Sequence, residues 1–332
     1  MFYKVISFRD VPCLKHLPLN YFDDIKKVLL VDWGNPLKMS ADHSNTMPVA
    51  EAEIVTLDIP VSFLYHKKKT QGPIGNILRK INPNYVAQRV VNELSVKFPN
   101  NKILLSYCHD HALNILCPKN VFIISTNIDN RKYQKHHHIA APYFINDDRS
   151  LREMKLEVTV YDKKKYTYGF LGQSNLYRKD ILSVLNKRSD TILEITDVWW
   201  KNHESSVRWD NLRRHMVDFY SSVQYPIVPE GAGYHVSKLN EAYILSKKPV
   251  IVSPYLLMPF ENEINWSDYA FNYKERVEPH NIDNFTNFLD KVKNESYDTA
   301  DISRFYDSYL HPNAYFDRTE LMIKDVLNKK SV

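Results

Sequence analysis

Two short stretches in the second half of the chain carry residue types that could hold a phosphorylated ligand. The first is Thr167-Tyr168-Gly169-Phe170-Leu171-Gly172-Gln173-Ser174, followed by Arg178. It reads as a strand ending at Gly172 with a helix a few residues on. A glycine there lets an anion approach backbone amides at a helix N-terminus, and Arg178 can add a charge-assisted bond. The second runs from Tyr225 through Pro229-Glu230-Gly231-Ala232-Gly233 to Glu241-Ala242. It reads as strand, loop and helix, the helix starting near His235 or Val236. Lys238 falls in the first turn, and Glu241 lies three residues on, on nearly the same face. The lysine can meet a phosphate, and the carboxylate can accept both hydroxyls of a ribose. The same residues also describe a capped surface helix with an internal ion pair.

Glycine is scarce. The chain has seven in 332 residues, about 2% against a usual ~7%. A chain this poor in glycine places it where the backbone demands it. Four of the seven form the pairs Gly169/Gly172 and Gly231/Gly233, which makes these two stretches the first places to look.

The first half offers other chemistry. Cys108-His109-Asp110-His111 follows a strand-like run. With His136-His137-His138 it supplies enough imidazole and carboxylate for a zinc or di-metal hydrolytic centre. No His-Glu-x-x-His or similar spacing accompanies them, and a run of three histidines is usually exposed loop. The three cysteines, Cys13, Cys108 and Cys117, match neither a disulfide framework nor a zinc pattern.

The elements that must position these residues alternate. Strand candidates are Lys4–Phe8, Lys27–Val31, Glu53–Leu57, Ile103–Tyr107 and Val121–Ser125, with a helix from Asn84 to Phe98. Residues 139–155, around Pro142 and a polar run, read as a junction. The alternation then restarts. Strands are expected at Thr167–Leu171, Thr191–Ile195, Tyr225–Val228 and Pro249–Val252. Helices are expected at Tyr177–Lys187, Val207–Tyr220, Val236–Ser246 and Ile282–Asn294. This pattern predicts an α/β protein with mainly parallel sheets in two domains, residues 1–150 and 151–332.

Composition is that of a globular chain, with 44% hydrophobic and 25% charged residues, which excludes disordered, collagen-like and coiled-coil classes. A net charge of +5 is too small for a protein that coats nucleic acid, and it suits anionic substrates. The 22 tyrosines fit a protein that holds polar rings, so a non-catalytic carbohydrate-binding role is an alternative. No apolar run is long enough to span a bilayer, and the N-terminus lacks a signal-peptide pattern. The expected location is cytoplasmic.

From Tyr168 to Glu275 the chain resembles the exostosin-like family of inverting glycosyltransferases. The resemblance rests on Phe170-Leu171-Gly172 with Arg178, and on Pro229-Glu230-Gly231 followed by Glu241-Ala242. It continues with Pro249-Val250-Ile251, Pro259-Phe260 and Trp266-Ser267-Asp268-Tyr269. Where the family has an arginine three residues before the glutamate, this chain has Lys238, which keeps the charge and loses the bidentate fork. The family serine falls one position out of register, at Ser237.

The resemblance implies a GT-B fold, in which two Rossmann-like domains face each other across a cleft. The N-terminal domain would bind the acceptor and the C-terminal domain a nucleotide sugar, here a UDP-sugar. The donor site would comprise Gly172, Arg178, Glu230, Gly231, Gly233, Lys238 and Glu241. Asp110 is the first choice for the base on the acceptor hydroxyl, His109 the second, with His111 beside them. No metal or other cofactor is expected. The acceptor would be an oligosaccharide or a lipid-linked glycan in surface polysaccharide synthesis, compatible with peripheral membrane association and with no nucleic-acid partner.

Overall fold

A computed structural model describes residues 3–6, 11, 54–57, 82–107, 114–126, 128–132, 137–140, 153–154, 165–196, 206–231, 233, 237–261, 263–311 and a few positions up to 325. The chain divides into two compact units. One comprises Met1–Pro142, Leu257–Phe260 and Thr319–Val332; the other comprises Tyr143–Leu256 and Glu261–Arg318.

The first unit holds β1 (Tyr3–Ile6), β2 (Ile54–Leu57), α1 (Pro83–Lys97), β3 (Lys102–Tyr107), β4 (Val121–Ser125) and β5 (His138–Ala140). The strands form one parallel sheet in the order β1-β2-β3-β4-β5. Strands β2, β3 and β4 are apolar and almost wholly buried, as expected of a parallel sheet covered on both faces. Helix α1 starts one residue earlier than its periodicity suggests, because Asn82 rather than Asn84 is its cap. The Asn82 side chain accepts from the Asn84 amide, with Pro83 in the first turn. The expected strand Lys27–Val31 lies outside the described residues. Strand β5 lies where the sequence suggests the end of an exposed histidine run and the start of the junction at 139; instead His138 is 6% exposed and pairs with Ile123.

The second unit holds β6 (Tyr166–Gly172), α2 (Lys179–Asn186), β7 (Thr191–Ile195), α3 (Ser206–Ser221), β8 (Val223–Pro229), α4 (Ser237–Ile244) and β9 (Val250–Val252). These are followed by α5 (Trp266–Tyr269), β10 (Phe271–Tyr273), α6 (Ile282–Val292) and α7 (Thr299–Phe305), which runs into a π-helical turn at Tyr306–Leu310. All the strand pairs are parallel, and the order is β7-β6-β8-β9-β10. The chain first builds outward from β6 to β7, then returns to the other side of β6 for β8. Chain order therefore reverses between β6 and β8, and in open α/β sheets a ligand binds beyond the strand carboxyl ends at such a point.

The core of this unit explains much of the tyrosine excess. Tyr168, Tyr220, Tyr225 and Tyr243 are among its largest fully buried side chains. The Tyr168 hydroxyl donates to the Leu289 carbonyl of α6, and Tyr225 donates to the Glu295 carbonyl at 2.5 Å. Tyr168 and Tyr225 thus contribute buried apolar area while their polar ends are satisfied. Opposite the strand carboxyl ends, the turn into β7 is tied to α6. Arg188 grips Asp190 with Nε and Nη2, both at 3.0 Å, and reaches Asp290 at 2.8 Å; Lys293 adds a contact to Asp190 at 3.2 Å.

Candidate functional site

Gly169 and Gly172 have different tasks. A Cβ on Gly169 would lie 2.4 Å from Val223 Cγ2 and 3.2 Å from Phe219 Cε1. Gly169 is therefore required for α3 and β8 to close against β6, and is a packing residue. A Cβ on Gly172 would lie 3.2 Å from the Phe170 ring. Gly172 ends β6 at the switch point, and the chain turns there toward α2.

Arg178 occupies the N-cap position of α2, and its amide donates to Asn175 at 3.0 Å. Its side chain turns back over the strand ends. Nη1 donates to the Gln173 carbonyl at 2.8 Å, just past β6, and Nε donates to the Glu230 carbonyl at 3.0 Å, just past β8. The guanidinium also lies 5.4 Å from the Phe170 ring. It thus joins the two strand ends that flank the reversal. Burial pushes its pKa down from the usual arginine value, and among the described residues no carboxylate neutralises it. A half-buried cation held by carbonyl oxygens alone favours an anion beside it.

The loop after β8 is held from three sides. The Glu230 amide donates to the Val252 carbonyl at 3.0 Å, and the Gly231 amide donates to the Gly233 carbonyl at 2.9 Å. These two amides are therefore already engaged, and the cationic character of the edge comes from side chains. The Glu230 carboxylate receives Arg276 Nη2 at 2.9 Å. Arg276 follows β10 by three residues and lies 5.2 Å from the Tyr177 ring and 5.8 Å from the Tyr255 ring. The sequence reading missed Arg276 and Tyr177. Following each strand to its carboxyl end, β10 included, would have reached Arg276, because parallel strands deliver all their following loops to one edge.

Lys238 and Glu241 form the internal ion pair, Nζ to Oε2 at 2.9 Å, but not on a surface helix. Glu241 has no exposed area, and residues 239–250 are all buried. Two residues of α3 share this pocket of charge. Burial pushes Arg213 down to about 10, against the pull of the Glu241 charge. The Tyr220 hydroxyl is pushed far up by burial first and then by Glu241, while Arg178 acts the other way. Tyr220 therefore lies within electrostatic reach of both Glu241 and Arg178. The structure thus brings Gly172, Arg178, Glu230, Gly231 and Gly233 to one sheet edge. Lys238 and Glu241 form a pair beneath α3.

No protein-family model matches the chain, and no curated protein matches it.

In the first unit, His109, Asp110, His111 and His136 lie outside the described residues. His137 and His138 are engaged in the sheet. His137 Nδ1 is 2.7 Å from the Val121 carbonyl, and His138 Nε2 is 3.8 Å from Cys117 Sγ. Burial, and then the neighbouring His137, lower His138 to about 4, so it is neutral at physiological pH. Among the described residues no three His, Cys, Asp or Glu side chains are grouped to hold a metal ion, and no helix is long and apolar enough to cross a membrane.

Proposed function

We propose that the carboxyl edge of the second sheet binds the diphosphate of a nucleotide-sugar donor, and that the protein is an inverting glycosyltransferase of GT-B architecture. The observation that carries this reading is Arg178. It spans the two strand ends at the reversal of chain order, and its charge is met there by carbonyls and, among the described residues, by no carboxylate. A diphosphate supplies the missing negative charge.

In the proposed reaction the acceptor hydroxyl oxygen attacks the anomeric carbon as the bond to the diphosphate oxygen breaks. The nucleoside diphosphate leaves with the bonding electron pair, and the configuration inverts. A base in the first unit, Asp110 or failing that His109 or His111, takes the acceptor proton. Arg178 stabilises the charge that grows on the leaving diphosphate, where a preorganised cation is worth most. Lys238 and Glu241 support the same site, Lys238 as a second cation and Glu241 as acceptor for the ribose hydroxyls once the pair opens. The resemblance supplies the sugar-transfer chemistry, a UDP-sugar as donor, and an oligosaccharide or lipid-linked glycan as acceptor in the cytoplasm.

The test is release of nucleoside diphosphate from a panel of nucleotide sugars, with and without oligosaccharide acceptors. Release by the wild-type chain that is lost in Arg178→Ala supports the reading. No release from any donor contradicts the transferase assignment.

A further inference from the structure

We propose that Glu230, Arg276 and Tyr177 form a nucleobase subsite beside Arg178. The inference rests on the nucleoside-diphosphate reading above and assigns the part of the ligand that reading leaves open. The Glu230 side chain is 6% exposed. One carboxylate oxygen is held by Arg276; the other, Oε2, is buried and has no hydrogen-bond partner among the described residues. Arg276 Nε is likewise buried and has no hydrogen-bond partner among the described residues. Buried polar atoms in folded proteins are nearly always paired, and an unpaired charged one is costly. Here a single ion pair leaves one acceptor and one donor unmet.

A nucleobase answers both. Each base carries an N–H donor next to a carbonyl or ring-nitrogen acceptor, so the N–H can reach Glu230 Oε2 while its neighbour receives Arg276 Nε. A phosphate offers only acceptors and is repelled by Glu230. A ribose diol offers both bond types but no aromatic face. The aromatic face has a counterpart in Tyr177. The residue is 45% exposed, and the Arg276 guanidinium carbon lies 5.2 Å from its ring centre. A base stacked on a tyrosine is a recurrent and sequence-tolerant contact. Position agrees with this assignment, because the Glu230 carbonyl is the group that anchors Arg178. Base and diphosphate would therefore sit on either side of one residue.

The experiment is isothermal titration of the full chain with ADP, GDP, CDP and UDP, and with pyrophosphate and ribose 5-phosphate as probes lacking a base. At least one nucleoside diphosphate should bind tenfold or more tighter than both baseless probes. Glu230→Gln should weaken that nucleotide by about ten- to a hundredfold, the loss of one charged hydrogen bond. Its affinity for pyrophosphate should not fall, because the substitution removes a charge that repels phosphate. Tyr177→Ala, at a half-exposed position, should weaken it about five- to a hundredfold. This variant keeps the test open if Glu230→Gln fails to fold. Nucleotides that bind no tighter than pyrophosphate would overturn the subsite and leave the diphosphate reading standing. Wild-type nucleotide affinity in either folded variant would do the same. No binding by any of the six probes would overturn both.

Discussion

Arg178 Nε meets the Glu230 carbonyl at 3.0 Å across the gap between β6 and β8 where chain order reverses. One side chain thus fixes the spacing of the two loops that a ligand at this edge would touch. The same side chain is at once a structural clasp and the cation of the proposed site.

Arg178→Lys separates these two roles. Lysine keeps the charge but cannot bond both carbonyls as a planar fork. We expect diphosphate affinity to fall about tenfold, and stability to fall by about 1 kcal/mol for a lost hydrogen bond. Arg178→Ala should lose about as much stability and nearly all diphosphate binding. Calorimetric titration and denaturant unfolding of both variants measure the two effects. Equal binding in wild type and Arg178→Ala would leave Arg178 a clasp only.

Glu241 is expected to behave as a buried counter-charge. Its carboxylate lies 2.9 Å from Lys238 Nζ and within electrostatic reach of Arg213. Glu241→Ala should destabilise the protein by about 3 to 5 kcal/mol, because it leaves buried cations uncompensated. Urea unfolding gives the value. The donor reading adds that Glu241→Gln, which keeps the volume, weakens nucleotide binding by roughly 1.5 to 3 kcal/mol. An unfolding free energy for Glu241→Ala equal to wild type would contradict its place in the ion pair.

Asp190 gives a pH dependence. Burial alone would raise its pKa, but the hydrogen bonds from Arg188 and Lys293 outweigh burial and hold it below its ordinary 3.8. Its folded pKa is therefore depressed, and the stability it contributes is complete above the ordinary value. That contribution is lost as pH falls through the folded value. Asp190→Asn should lower stability by about 2 kcal/mol at pH 7. The gap between mutant and wild type should close in unfolding curves taken toward pH 2. A gap that is unchanged at acid pH would show that Asp190 is not held ionised by its partners.

Asp110 is the proposed base, and Asp110→Asn should cut turnover by about 10² to 10⁴. Donor affinity should barely move. His109→Ala and His111→Ala are the neighbouring comparisons in the same assay. Normal turnover in all three would remove the catalytic residues from the first unit.

The alternation of elements was legible because parallel strands read as short apolar runs. The fully buried Val121–Ser125 and the half-buried edge strand Thr191–Ile195 both match residue for residue. Strand β5 was not legible, because histidines hide a buried strand when their ring nitrogens find local partners, as His137 does at Val121. At the site, Arg178 and Glu230 could be found because glycine and proline mark the strand ends on either side. Arg276 and Arg213 carry no such mark. Their roles depend on which loop and which helix face the sheet order brings beside Glu230 and Glu241. The tyrosines misled for a related reason: a count does not separate a ring that holds a ligand from one that fills a core with its hydroxyl on a carbonyl.

Nucleoside-diphosphate binding at the second sheet's carboxyl edge is measured most directly by thermal unfolding of the wild-type chain and of Arg178→Ala with millimolar UDP and its ADP, GDP and CDP counterparts. At about 100 times Kd, a ligand that binds only the folded state adds about 2.7 kcal/mol. We predict a shift of that size in the wild type with at least one of the four, and none with the same nucleotide in Arg178→Ala. The absence of any shift in the wild type, or an equal shift in both proteins, would contradict the account.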